Sequence, residues 1–372
     1  MTEVDGRLRR LESAVVTGAG LVAFALAVLV ALAVLALRFP HGWTPAELGK
    51  AVDIGMLREA TFLAMAIAGG LAIANLIEGH ARWLNGATVT LILLAAALGG
   101  HRVPIADLPP GTPYVGLDRF ALNLLGSSLI FIVIERLFPL RVQNVLRPGW
   151  RTDATNLIVN HLLAGLTLIL ASFVLRDLLG WMIWPPLQTW VGGLPFLAQL
   201  FLALLVTDIL QYWIHRAFHQ IPLLWRLHAV HHSTEYMDWL AGFRMHLCEL
   251  ILTRVVFLCA LLLMGFDQAT IGAYVVVVGL QTVFNHANLR LPAVFEKAPL
   301  KWLIVTPHFH HWHHTTERAA IDHNYASHFA FLDYAFGTAV SPDRFPDAYG
   351  VLGDYVPAGF VRQQLFPLTW KG

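Results

Sequence analysis

The chain has 372 residues, of which 57% are hydrophobic and only 13% charged, with a formal net charge of +1. A soluble domain carries roughly 25% charged residues, so most of this surface is expected to face lipid, and near-neutrality removes the electrostatic case for nucleic acid. The two cysteines, Cys248 and Cys259, share one apolar segment and supply neither a disulfide framework nor a thiolate metal site.

In chain order, Arg7, Arg9 and Arg10 precede an apolar run over 14–37. That run exceeds the roughly 7–15-residue core of a signal peptide and reaches the ~20 residues of a spanning helix, so it reads as a retained first span. Further apolar segments follow at 59–78, 84–100, 119–138, 157–178, 194–214, 247–265 and 268–286. The segment at 84–100 has the shortest purely apolar stretch, and the last two are parted only by Asp267 and its neighbours, as a tight helical hairpin would be. The expected fold is all-α: a polytopic membrane bundle of about eight spans with a histidine-rich metal cap on its cytoplasmic side. Lys and Arg set the orientation. The stretches 141–151 and 215–244 and the tail with Arg290, Lys297, Lys301 and Arg318 are basic, whereas 179–193 and 266–267 contain no Lys or Arg. The basic side, with both termini, is assigned to the cytoplasm of a cell (inner) membrane; the loop with Arg38, Lys50 and Arg58 departs from the rule.

Histidine is the anomaly: there are 18, and 14 fall from His215 onward. His215-Arg-Ala-Phe-His219 follows the segment 194–214, and residues four apart share a helical face. His228-Ala-Val-His231-His232 repeats the idea at i, i+3 and i+4, and His310, His313 and His314 carry the same pattern within His310-His311-Trp312-His313-His314. Crowded imidazoles repel when protonated and must stay neutral when buried. Metal coordination accounts for the crowding, since neutral imidazole is the commonest metal ligand. Eight imidazoles exceed the needs of one ion, so a pair of ions is expected; imidazole suits zinc, copper, iron and nickel alike. An even number of spans, 247–265 and 268–286, separates the second motif from the third and returns it to the same side.

These runs, with Thr306-Pro307-His308-Phe309 leading into the last, resemble the three histidine boxes of the fatty acid hydroxylase/sterol desaturase superfamily. Asp322-His323-Asn324-Tyr325 and Asp333-Tyr334-Ala335-Phe336-Gly337-Thr338 resemble its closing segment, and Arg244-Met-His246-Leu-Cys-Glu249 and Phe284-Asn285-His286-Ala287-Asn288 its elements between boxes. The resemblance, over roughly 120–340, implies a catalytic domain at 119–340 between an N-terminal transmembrane extension, 1–118, and a cytoplasmic tail, 341–372. It implies two iron ions (zinc as a substitute), O2 as co-substrate, and hydroxylation or desaturation of a lipid C–H bond. Carried over residue by residue, it gives His215, His219, His228, His231, His232, His310, His313 and His314 as metal ligands and His286 as a ninth, with His246 or His323 as substitutes for it.

Other residues receive lesser roles. Asp208, seven before His215, is placed to accept an imidazole N–H or to sit as a helix-end charge. Arg244 and Glu249 are expected to form a structural ion pair, and His308 and His311 to lie behind the ligands or face solvent. His161 is either an intramembrane functional group or a hydrogen-bonded helix contact. His41, His80 and His101 read as loop or interfacial residues, and Asn324 and Tyr325 as turn and packing residues. No flavin, nicotinamide or iron–sulfur fingerprint is visible, so electrons are assigned to an external ferredoxin- or cytochrome-type donor with its reductase. The competing readings are a lipid desaturase, an ether-lipid or head-group monooxygenase, a transition-metal transporter and a non-catalytic metal-binding membrane protein.

Overall fold

The computed structural model describes residues 3–39, 53–104, 126, 128, 130–353 and 355–369. Among them the chain is helix and loop, with no β-strand. Contacts divide it into two compact units, Met1–Leu137 and Phe138–Gly372.

In the first unit, α1 (Glu3–Arg38), α2 (Ile54–Ile77) and α3 (Arg82–Ala97) pack on one another. Close approach is bought by small residues at i, i+4 spacing: Ala23 and Ala27 on α1, Ala68 and Ala72 on α2, all fully buried. Phe62, Leu63, Ile67, Ile73 and Ile77 point outward instead, as a lipid-facing surface requires. Asp53 caps α2 by accepting from the Gly55 and Met56 amides.

The second unit holds every histidine motif. It runs through α4 (Trp150–Leu162), α5 (Ala164–Phe173), α6 (Pro185–Gly192), α7 (Phe196–Gln220), α8 (Pro222–His232), α9 (Leu247–Met264), α10 (Gln268–His286), α11 (Pro307–His313), α12 (Phe331–Phe336) and α13 (Phe360–Thr369). The 25 residues of α7 extend for about 37 Å, beyond the ~30 Å hydrocarbon core, so its last turns can emerge into the polar zone. Pro222, at the first position of α8, starts a new helix at the end of α7, and α8 packs against α7. A tight turn joins α9 to α10. Gly265 adopts φ +79°, and a Cβ there would fall 2.6 Å from the Gln188 Cβ, so only glycine fits. Asp267 then caps α10 through the Thr270 amide at 2.6 Å. This hairpin brings His286 back to the end of the bundle that carries the first two motifs.

Six helices are long and apolar enough to cross a membrane: Gly18–Arg38, Ile54–Ile77, Arg82–Arg102, Phe196–Gln220, Leu247–Met264 and Gln268–His286. The chain is therefore an integral, multi-pass membrane protein, but the expected count of eight is not met among the described residues. Segment 119–138 lies largely outside them. Segment 157–178 is helical but broken into α4, α5 and a π-helical turn, Val174–Leu179. Asp153, Asn156 and Asn160 on α4 are buried and hydrogen-bond to Arg244, Met245 and Phe243 beside the site, which makes α4 a supporting helix.

Candidate metal centre

The nine histidines singled out from the sequence converge and separate into two groups. His215, His219, His228, His232 and His313 form one; His231, His286, His310 and His314 form the other. Within each group the ligating nitrogens lie within 4.8 Å of one another, close to the span of opposed ligands at ~2.1 Å from a shared ion. Every pattern contributes to both groups except the first. Helix α8 places His228 and His232 in one and His231 in the other, because i+4 lies about 40° round the helix from i in one direction and i+3 about 60° in the other. Helix α11 and its cap divide likewise, His313 from His310 and His314.

The hydrogen bonds fix which nitrogen is available. Six of these rings donate Nδ1–H: His215 to the Tyr325 carbonyl (2.8 Å), His231 to that of Arg244 (2.8 Å), His286 to that of Thr282 (2.8 Å), His313 to that of His323 (2.8 Å), His228 to Glu249 (2.7 Å) and His219 to Asp322 (2.9 Å). A carbonyl only accepts, so Nδ1 must carry the proton and Nε2 the lone pair. Those lone pairs face each other: His215 Nε2 lies 2.9 Å from His228 Nε2, and His286 Nε2 lies 3.3 Å from His231 Nε2. Two lone pairs at that separation repel unless a cation sits among them. The Nε2 atoms of His219 and His313 are buried with no hydrogen-bond partner among the described residues. The donor sets therefore fit a pair of metal ions.

The electrostatics agree. Burial, reinforced by neighbouring imidazoles, pushes His228, His232, His310, His313 and His314 well below the ordinary histidine pKa. Burial takes His231 down to about 4. These rings are neutral near pH 7 and so able to ligate.

The surrounding residues correct several expectations. Asp208 does not accept from an imidazole of the cluster. It receives the amides of Ser327 (2.9 Å), His328 (3.1 Å) and Phe329 (2.7 Å), pinning the loop whose Tyr325 carbonyl orients His215. Arg244 and Glu249 do not pair. Glu249 serves His228, and Arg244 binds Asp153 at 2.5 Å. Asp153 also meets Arg147 at 2.6 Å, and Arg147 meets Asp238 at 2.6 Å, giving a buried array of two cations and two anions. His246 is a helix cap, accepting from the Cys248 amide and donating to the Gln364 carbonyl, and His323 contributes its carbonyl only, so neither replaces His286. His308 and His311 are buried and do not face solvent: His308 meets Glu296 and the Arg344 carbonyl, and His311 the Tyr349 hydroxyl. His161 lies outside both groups, as do His80 and His101; His41 is outside the described residues. Sequence reasoning missed Asp153, Asp238, Arg147 and the orienting role of Asp322. The visible signal was Asp153 just before the segment 157–178; Arg147 and Asp238 were hidden in the basic stretches 141–151 and 215–244.

The fatty acid hydroxylase family pattern matches residues 200–338. Among curated proteins, the chain is 30% identical over 188 residues to the ornithine lipid hydroxylase OlsE of Rhizobium tropici, covering 49% of this chain and 54% of that protein. It is 29% identical over 150 residues to the alkylglycerol monooxygenase of Danio rerio, 40% of this chain and 32% of that one. Methylsterol monooxygenase 2-2 of Arabidopsis thaliana is 26% identical over 217 residues, 57% of this chain and 79% of that one. The chain thus spans about half or less of the first relatives it matches. No solved structure matches.

Proposed function

We propose that this chain, whose residues 200–338 match the fatty acid hydroxylase family pattern, is a membrane-bound, O2-dependent di-iron hydroxylase acting on a C–H bond of a lipid. His215, His219, His228, His232 and His313 hold one ion, and His231, His286, His310 and His314 the other. An iron pair, when bound, supplies the oxygen activation that an unactivated C–H bond requires. The chain's own part is to keep the imidazoles neutral, aim their Nε2 atoms, and exclude bulk water by burying the centre. The observation that carries this reading is the set of Nε2 lone pairs turned inward by fixed Nδ1–H donors.

The relatives hydroxylate or oxygenate lipids by their names, which supports a lipid substrate here. The spans Phe196–Gln220 and Gln268–His286 carry site histidines near their ends, which supports a substrate drawn from the bilayer. Electrons come from a separate ferredoxin- or cytochrome-type donor with its reductase, and the histidine end of the bundle, with the basic segments 141–151 and 215–244, faces the cytoplasm. The test is elemental mass spectrometry of the detergent-purified protein, wild type and His231→Ala/His313→Ala, together with lipid mass analysis under O2 and under argon. An iron pair lost in the double variant, with an O2-dependent lipid product one oxygen heavier, is expected. Folded wild type without stoichiometric metal would overturn the proposal.

A further inference from the structure

The two histidine groups are supported differently. In the five-histidine group, two rings pass their Nδ1–H to carboxylates: His228 to Glu249 at 2.7 Å and His219 to Asp322 at 2.9 Å. In the four-histidine group, His231 and His286 pass theirs only to the backbone carbonyls of Arg244 and Thr282. The Nδ1 atoms of His310 and His314 are buried with no hydrogen-bond partner among the described residues. The charged residue that provides an acceptor to this group is Arg244, whose guanidinium is already bound to Asp153. A carboxylate behind an imidazole raises its basicity and its grip on a metal, and losing such a partner typically weakens metal binding ~10–100-fold.

Resting on the iron-pair reading above, we infer that the two metal positions are unequal by construction. The five-histidine position binds the tighter ion, and the four-histidine position binds the weaker one and keeps room for a ligand that the protein does not supply. Three features act in the same direction: five donors against four, two supporting carboxylates against none, and Nδ1 acceptors shown for four rings of the five against two of the four. Access runs the other way. A cavity of about 290 Å³ is lined by His219, His232 and His313 of the five-histidine group, with Trp225, Asp322 and Tyr355 beside them, and by no member of the four-histidine group. The tighter ion is therefore the one more open to the outside, so the order must be read at equilibrium and not from the speed of exchange.

The experiment is equilibrium dialysis of the full-length protein in detergent against Zn²⁺ buffered by a chelator over a wide range of free concentration. Bound zinc is read by elemental mass spectrometry, and equilibrium is approached from loaded and stripped protein. Two separate binding steps are expected. Glu249→Gln keeps a hydrogen-bond acceptor and removes the charge; it should weaken the tighter step ~10–100-fold and leave the other in place. Asp322→Asn is the second variant, because that side chain is 52% exposed and its change spares the core. His314→Ala should abolish the weaker step alone. A single step for both ions, or carboxylate variants that weaken the looser step, would overturn the inference while leaving the iron-pair reading intact. Folded wild type that binds no metal at all would overturn both.

Discussion

At the scale of single residues, the orientation of the clustered imidazoles comes from groups outside the two histidine sets. Asp208 illustrates this. Its carboxylate gathers the amides of Ser327, His328 and Phe329, and hydrogen bonds to a charged acceptor contribute roughly 1.5–3 kcal/mol each. Asp208→Ala should lower the thermal midpoint and, by freeing the loop that holds the Tyr325 carbonyl, reduce bound metal; Asp208→Asn should fall between it and wild type. Thermal melts paired with metal analysis check this, and an unchanged metal content would mean that the loop is held by other contacts. The buried array makes a second case. Asp153→Ala strands Arg244 without its anion and leaves Arg147 on Asp238 alone, and breaking a buried pair in this way costs about 3–5 kcal/mol. Denaturation of that variant should show a loss of this size. The convergent histidines were legible in the sequence because their spacing is local. Their acceptors were not, since Arg244–Asp153 and Asp208–Ser327 join residues far apart in the chain.

At the scale of elements, the site depends on how closely short segments approach. Gly242, in the 3-10 turn Ala241–Phe243, lies beneath α10. A Cβ there would come within 2.9 Å of the Thr282 carbonyl and 3.1 Å of His286 Nδ1, the two ends of one hydrogen bond. Gly242→Ala should therefore displace His286, with an overpacking cost of about 1–3 kcal/mol, and the displaced ring should lower metal content in the four-histidine group more than in the five-histidine group. Metal analysis of the purified variant decides it; a full complement of metal would show that α10 shifts as a body. Hydropathy anticipated α7, α9 and α10 well, because their lipid faces are apolar over their whole length. The segment 157–178 is not among these spans: its helix breaks at Leu163, and Asn160 within it is buried against the Phe243 carbonyl.

At the scale of the whole molecule, acidity should act on all the histidines together. Burial pulls His231 down to about 4, and its neighbours on α8 and α11 are lowered as well. Between that value and the ordinary ~6.5, the unfolded chain binds protons that the folded chain refuses, so stability falls as pH falls through this window. His231 alone corresponds to a loss on the order of 3 kcal/mol between those limits, and protons compete with metal over the same range. Melting and metal retention measured from pH 8 to 5 should decline together below about 6; flat profiles would mean that the rings are not neutral in the folded protein. Convergence itself was legible, since an even pair of segments must return the third motif to its starting side, and the α9–α10 hairpin does so. The division into five and four was not, because it depends on where α8 and α11 rotate relative to each other. That division has a consequence for how the protein is made. The seven residues of α11, with His314 as their cap, serve both groups at once. On the ribosome neither group can be completed until this helix emerges and docks. One late segment thus acts as a single latch: four of the five donors of one group and two of the four of the other are made before it, and its arrival completes both.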